Sequence, residues 1–360
     1  MAEVTASMVK ELREMTGAGM MDCKKALNET NGNMDEAVDF LRKSGAAKVE
    51  KKANRIAAEG IAKIAVSDDC KVAVVAEVNS ETDFVAKNET FQAFAQDVAD
   101  KALVSPKDAA GDGEDVCGIL EMKAELEEKT LTIGEKLSIR RFQKVSGDVV
   151  GTYIHGGGRI GVLVAGEGGS DDAVKEALKN VAMQVAAMSP QYIQRSDISD
   201  EELAKLKEIT IDSALNDPAS LPKPILSKLI DKAVGDKKWS DEDIAVYEEK
   251  KSNMNFLFNF LSEAAKAALV ELAFADKEQI VGDKIFVGLV EGRISKHIKE
   301  ISLLDQVYVK AEDGKQSVGQ YLASVNKELK IVKMIRFEVG EGMEKKNEDF
   351  AAEVAAQMNA

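Results

Sequence analysis

The chain has 360 residues, 45% hydrophobic but only 5% aromatic, so two or three folding units must build their cores mainly from Ala, Val, Leu, Ile and Met. Forty-eight Lys and Arg against 63 Asp and Glu give a net charge of −15, which excludes an electrostatic footprint for nucleic acid over the chain as a whole. Residues 1–60 hold ten of each sign, so all of the acidity lies in the body that follows.

In chain order, residues 5–45 predict three short helices. Thr5 caps the first, Val9, Leu12 and Met15 form its inner face, and Gly17 lies beyond its end. Residues 20–29 make the second, with Gly32 after it. Asn33 opens the third, Glu36 completes a capping box, Ala37, Phe40 and Leu41 face inward, and Gly45 closes it. A charged linker helix is expected over 48–59. Residues 61–66 and 72–78 predict a strand pair around a turn at 67–71. The second strand runs into the polar loop Ser80-Glu-Thr-Asp-Phe-Val85, after which Phe91, Phe94, Ala95, Val98 and Ala102 fall at helical spacing. Residues 105–115, rich in Gly, Asp and Pro, predict a surface loop.

The pattern then recurs. Residues 149–154 and 160–165 predict a second strand pair around His155-Gly-Gly-Gly158. Residues 171–188 predict a second amphipathic helix, with Val174, Leu178, Val181, Val185 and Met188 in register. Two copies of strand–strand–helix imply an internally duplicated α+β core. From 199 to 304 the pattern is helical, in segments near 200–215, 225–234, 241–274 and 277–300. Residues 307–309 read as strand, 318–326 as helix, 331–339 as strand and 347–358 as a last helix.

Cys23, Cys70 and Cys117 lie far apart without a Cys-x-x-Cys pair, which predicts no disulfide framework and no zinc site, and points to a reducing compartment. The N-terminus lacks the build of a signal peptide, so a cytoplasmic protein is expected. The longest apolar run, 254–274, is interrupted by Asn255, Asn259, Glu263, Lys266 and Glu271 and predicts a buried helix, not a membrane span. Within it, Phe256-Leu-Phe-Asn-Phe-Leu261 needs burial, either inside a thickened bundle or across a dimer. His155 and His297 have no nucleophile or metal partner near them in sequence, and no catalytic motif occurs.

Two segments stand out. Phe84, flanked by Thr82, Asp83 and Lys87, either folds back on its own domain or is a rigid aromatic offered to a partner. His155-Gly-Gly-Gly-Arg159 lacks the Gly-Lys-Ser/Thr ending of a phosphate loop and is followed by a strand, so it reads as a glycine-rich hairpin turn.

Both segments carry a resemblance. Thr82-Asp-Phe-Val85 resembles the corresponding loop of the elongation factor Ts family, His155-Gly-Gly-Gly-Arg-Ile-Gly-Val-Leu-Val164 its second-repeat motif, and Met15 to Leu27 its N-terminal domain. Ile335-Arg-Phe-Glu-Val-Gly-Glu-Gly-Met343 and Phe350-Ala-Ala-Glu-Val354 are similar to its closing segment. The resemblance is colinear over 8–60, 72–98, 148–193, 290–306 and 335–355. It implies an α+β architecture: a UBA-like three-helix domain (1–56), a core N-subdomain (57–145), a core C-subdomain in two parts (146–192 and 305–340), a coiled-coil-like helical protrusion (193–304) and a C-terminal helical module (341–360). The stretch at about 216–278 departs from the family's short hairpin as extra helical material. The implied function is guanine-nucleotide exchange on the GTPase elongation factor Tu, without a covalent step. Thr82, Asp83, Phe84 and Val85 would displace the GTPase's Mg²⁺, and the subdomain bearing His155, Gly157 and Arg159 would face its third domain. No cofactor, metal or direct nucleic-acid site is implied on the chain itself, and a homodimer through the protrusion stays open. The alternative is a UBA-type protein-binding adaptor without exchange activity.

Overall fold

The computed structural model describes residues 4–344. The expected helix at 347–358 and the segment Phe350 to Val354 lie outside the described residues. The chain forms two compact units, one from the residues up to Ser189 together with those from Tyr308 onward, the other Pro190–Val307.

The first unit opens with three helices, α1 (Ala6–Thr16), α2 (Met20–Glu29) and α3 (Met34–Lys52), packed around Leu12, Cys23, Ala26, Leu27 and Ala37. The Thr5 hydroxyl caps α1 by accepting from Met8 N at 3.3 Å. Asn33 Oδ1 accepts from Glu36 N, but Glu36 answers to the Asn33 side-chain amide at 2.9 Å, so the capping box is closed through a side chain. Gly45 does not end α3. A Cβ there would stand 2.7 Å from Leu131 Cδ1, so the glycine permits close approach to a later helix and α3 runs on to Lys52. The separate linker helix at 48–59 is therefore absent: the first part of that stretch belongs to α3, and a strand has begun by its end.

Strands β1 (Glu59–Val66) and β2 (Val72–Ser80) form the expected hairpin. The single turn α4 (Asp83–Ala86) and helix α5 (Glu89–Val104) follow. The loop after α5 contains the short strand β3 (Ala109–Ala110), and the stretch beyond it holds α6 (Val116–Ile119), α7 (Lys123–Ile133) and β4 (Ser138–Ser146). Next come β5 (Val149–His155), β6 (Ile160–Glu167) and α8 (Asp172–Met188), capped by Asp171.

The second unit is helical among its described residues: α9 (Asp200–Asn216), α10 (Lys223–Gly235), α11 (Asp241–Lys250), α12 (Met254–Leu257), α13 (Glu263–Ala275), α14 (Lys277–Gly282) and α15 (Lys284–Ile301). The single segment expected at 241–274 is broken, and buried Asp243 shows why. Its carboxylate accepts from Ser240 Oγ (2.7 Å), Ser262 N (2.8 Å) and Ser262 Oγ (2.9 Å), tying the starts of α11 and α13 together. Burial opposes its charge, yet those donors hold its carboxyl below the usual range. Trp239 donates Nε1–H to Ala265 O within a core of Leu229, Ile230, Leu257, Leu269 and Phe286. Of the run 256–261, Leu257 and Leu261 are buried in this core, while Phe256 and Phe260 are exposed.

The first unit resumes with α16 (Val318–Val325) and β7 (Lys330–Glu338). No strand forms at 307–309. Instead Tyr308 stacks on Tyr321 at 4.1 Å, and Val309 N donates to Gln184 Oε1. Among the described residues the strands make two antiparallel sheets, ordered β1-β2-β4-β3 and β5-β6-β7. Helix α5 covers the first sheet with Phe91, Phe94, Ala95 and Val98 against Val74, Ala76, Val78 and Phe142. The other face of that sheet meets the second sheet through Ala62, Val75, Val145, Leu163, Ile335 and Phe337. Strand β2 is thus buried on both faces, which its near-continuous apolar run anticipates.

Within this sandwich lies one carboxylate. Glu77 is fully buried, with Oε2 2.6 Å from Arg141 Nε and Oε1 3.2 Å from Arg140 Nη1; Oε1 also accepts from Asn79 Nδ2 and Gly340 N. Register shifts so that Glu77 pairs with Arg141 and Val78 with Ile139. Arg140 is the extra residue of a bulge, which lets two consecutive arginines reach one carboxylate.

Candidate interaction site

Strand β2 delivers the chain to the Asp-Phe segment, and every residue around that segment is tied down. Ser80 Oγ donates to Thr82 O at 3.0 Å. Thr82 donates both its N–H (3.0 Å to Oε2) and its hydroxyl (2.7 Å to Oε1) to the Glu135 carboxylate. The Asp83–Ala86 turn closes with Lys87 N on Phe84 O and Asn88 N on Val85 O, and Asn88 Oδ1 then accepts from Phe91 N to start α5. Val85 packs inward on the core beneath α5. Phe84 does not: it is 79% exposed, so its ring is no part of this unit's core.

Two neighbours complete the tip. Lys87 Nζ sits 2.8 Å from Asp83 Oδ2 and 5.7 Å from the Phe84 ring centroid. Its hydrogen bond holds the Asp83 carboxyl below the usual carboxylate range, so the tip presents an ionised acid beside an aromatic ring. A shallow cleft of about 320 Å³, lined by Phe84, Val85, Asn88, Thr90, Thr132 and Ile133, lies alongside. The tip can engage a partner by shape and charge; it carries no nucleophile.

The glycine-rich segment is a hairpin turn between β5 and β6, with φ of 60°, 67° and 102° at Gly156, Gly157 and Gly158. Gly158 is buried against β1: its carbonyl accepts from Ala62 N at 2.7 Å, and a Cβ there would enter the Ile61 side chain. His155, Gly157 and Arg159 are exposed. His155 Nδ1 lies 3.1 Å from Tyr153 Oη, and Arg159 pairs with Glu59 at 3.4 Å. Gly158→Ala is expected to destabilise the chain by about 1–3 kcal/mol, the cost of forcing a side chain into positive φ against a packed neighbour. Urea denaturation reads this directly, and an unchanged midpoint would contradict the packing described.

The hairpin turn abuts β1 at Ile61 and Ala62, and Arg159 reaches Glu59, which lies opposite Ser80 in the β1–β2 register. The two sequence motifs therefore meet the same end of one β-hairpin. Glu135 and Glu59 are the residues that sequence reasoning missed. Glu135 lies 53 residues from Thr82, and no local pattern marks it.

A sequence profile of the family described as Elongation factor TS matches residues 81–341, well over half of the chain, with both motifs inside the match. The chain belongs to the elongation factor Ts family. Curated proteins named Elongation factor Ts resemble it end to end. That of Clostridioides difficile (strain 630) is 42% identical over 371 aligned residues, covering 99% of this chain and 100% of that protein. Those of Hahella chejuensis (strain KCTC 2396) and Aliarcobacter butzleri (strain RM4018) are each 40% identical, covering 99% of both chains. As a member of the elongation factor Ts family the chain is a translation elongation factor. Among the described residues no helix is long and apolar enough to cross a membrane, and no group of three or more His, Cys, Asp or Glu is placed to hold a metal ion.

Proposed function

We propose that this chain is a guanine-nucleotide exchange factor that binds GDP-bound elongation factor Tu in the cytoplasm and speeds GDP release by displacing Mg²⁺ from the GTPase. The observation that carries the reading is Phe84, 79% exposed on a helical turn tied at both ends, in a member of this family. A rigid aromatic loses little conformational freedom on docking, which is what a displacement wedge requires.

Phe84, with Asp83 beside it, enters near the partner's nucleotide site. Moving Mg²⁺ away removes charge neutralisation from the GDP phosphates, so GDP leaves faster. The exposed turn at His155, Gly157 and Arg159 gives a second contact, and the three-helix head, read as UBA-like, a third. The action is binding alone, with no bond made or broken on this chain. The adaptor reading accounts for the head but gives the Phe84 tip no purpose.

Linkage supplies the test. If the chain lowers the affinity of the GTPase for GDP by some factor, GDP must lower its affinity for the chain by the same factor. Calorimetric titration into nucleotide-free and GDP-loaded elongation factor Tu measures both sides of the cycle. Tight binding to the nucleotide-free form and weakened binding to the GDP form are expected. Equal affinity for the two would refute the proposal.

A further inference from the structure

We infer that Glu135 is a positioning residue for the Phe84 tip, an inference that rests on the exchange reading above. Thr82 occupies the N-cap position of α4, yet its side chain makes no cap hydrogen bond there. Both of its donors turn instead to Glu135, whose carboxylate grips backbone N–H and hydroxyl together at 3.0 and 2.7 Å. Charge-assisted, two-point hydrogen bonds fix orientation as well as distance. Phe84 stands two residues beyond the grip, so the direction of its ring follows from the orientation of Thr82.

The clamp is itself anchored. Lys136 N donates to Glu81 Oε1 at 2.6 Å, and Glu81 also pairs with Arg55 at 3.3 Å. Lys136 Nζ donates to Ala53 O and Arg55 O, each at 2.7 Å, and Lys52 Nζ donates to Gly134 O at 2.5 Å. The turn at 134–136 therefore holds the tip on one side and the C-terminal end of α3 on the other. Glu135 is only partly buried, and its carboxylate takes both Thr82 donors, so its role is orientation of the loop.

Because Glu135 acts on the tip and not on the other contact surfaces, its removal should lower the maximal exchange rate more than the apparent affinity. Two readouts on the full chain test this. In Glu135→Ala, GDP release from elongation factor Tu at saturating chain should fall about tenfold while the half-saturating concentration stays within about twofold. In the free mutant, chymotryptic cleavage after Phe84, identified by fragment mass, should be about tenfold faster, since a loosened turn exposes its backbone to the protease. Glu135→Gln keeps the shape and one acceptor and should recover part of both. An active wild-type chain with both readouts unchanged in Glu135→Ala would overturn the inference. So would a loss of the melting transition with faster cleavage at all sites alike, which would make Glu135 a general stability residue. A wild-type chain without exchange activity refutes the exchange reading instead, and the cleavage comparison then still reports whether the clamp holds the tip.

Discussion

Phe84→Ala is expected to slow GDP release from elongation factor Tu about 30-fold or more while moving the melting temperature of the chain by no more than about 2 °C. An aromatic anchor in a partner pocket typically contributes about 2 kcal/mol or more, and each 1.4 kcal/mol is a factor of ten. The fold has little to lose, because the ring is 79% exposed and only its neighbour Val85 reaches the core. A core phenylalanine would behave in the opposite way, costing roughly 3–5 kcal/mol of stability on truncation. Stopped-flow release of fluorescent GDP and a thermal melt on the same sample separate the two. A large fall in melting temperature with a normal exchange rate would contradict the placement of the ring.

Glu77→Ala acts on the fold instead. The carboxylate is fully buried, and its arginine partners have side chains only 10% and 18% exposed. Removing it leaves two nearly buried guanidinium groups and the N–H of Gly340 without their shared acceptor. Breaking one side of a fully buried ion pair costs about 3–5 kcal/mol. Here Arg140 keeps Asp112 and Arg141 keeps Glu341, both more exposed partners, so a loss of about 2–3 kcal/mol is expected. The loss falls where β2, β4 and the end of β7 join, three residues before the strand ends at Ser80. Urea denaturation should therefore show the mutant unfolding at much lower denaturant. A change below about 1 kcal/mol would mean that the network contributes little net stability.

The legible parts of the fold were those with short-range causes. Helix α2 at 20–29, the hairpins of β1–β2 and β5–β6, and α8 follow from apolar period and turn residues read within a dozen positions. Strand β4 was hidden because its bulge sets Arg140 beside Arg141, which breaks the alternation that marks a strand. Gly45 has the form of a helix stop, and only the approach of Leu131 gives it another use. At the site, sequence could name Thr82 to Val85 but not decide which way Phe84 faces, since that depends on whether the core has room for it. Glu135 was beyond reach for the same reason: its partner is local only in three dimensions.

The most direct test of the account is the rate of GDP release from elongation factor Tu at millimolar Mg²⁺, with and without a saturating amount of the wild-type chain. Displacement of Mg²⁺ should give strong acceleration that shrinks when Mg²⁺ is chelated, because the displaced ion is then already gone, and no change in the final balance of GDP and GTP complexes. Release that is unaffected by the chain at millimolar Mg²⁺ would contradict it.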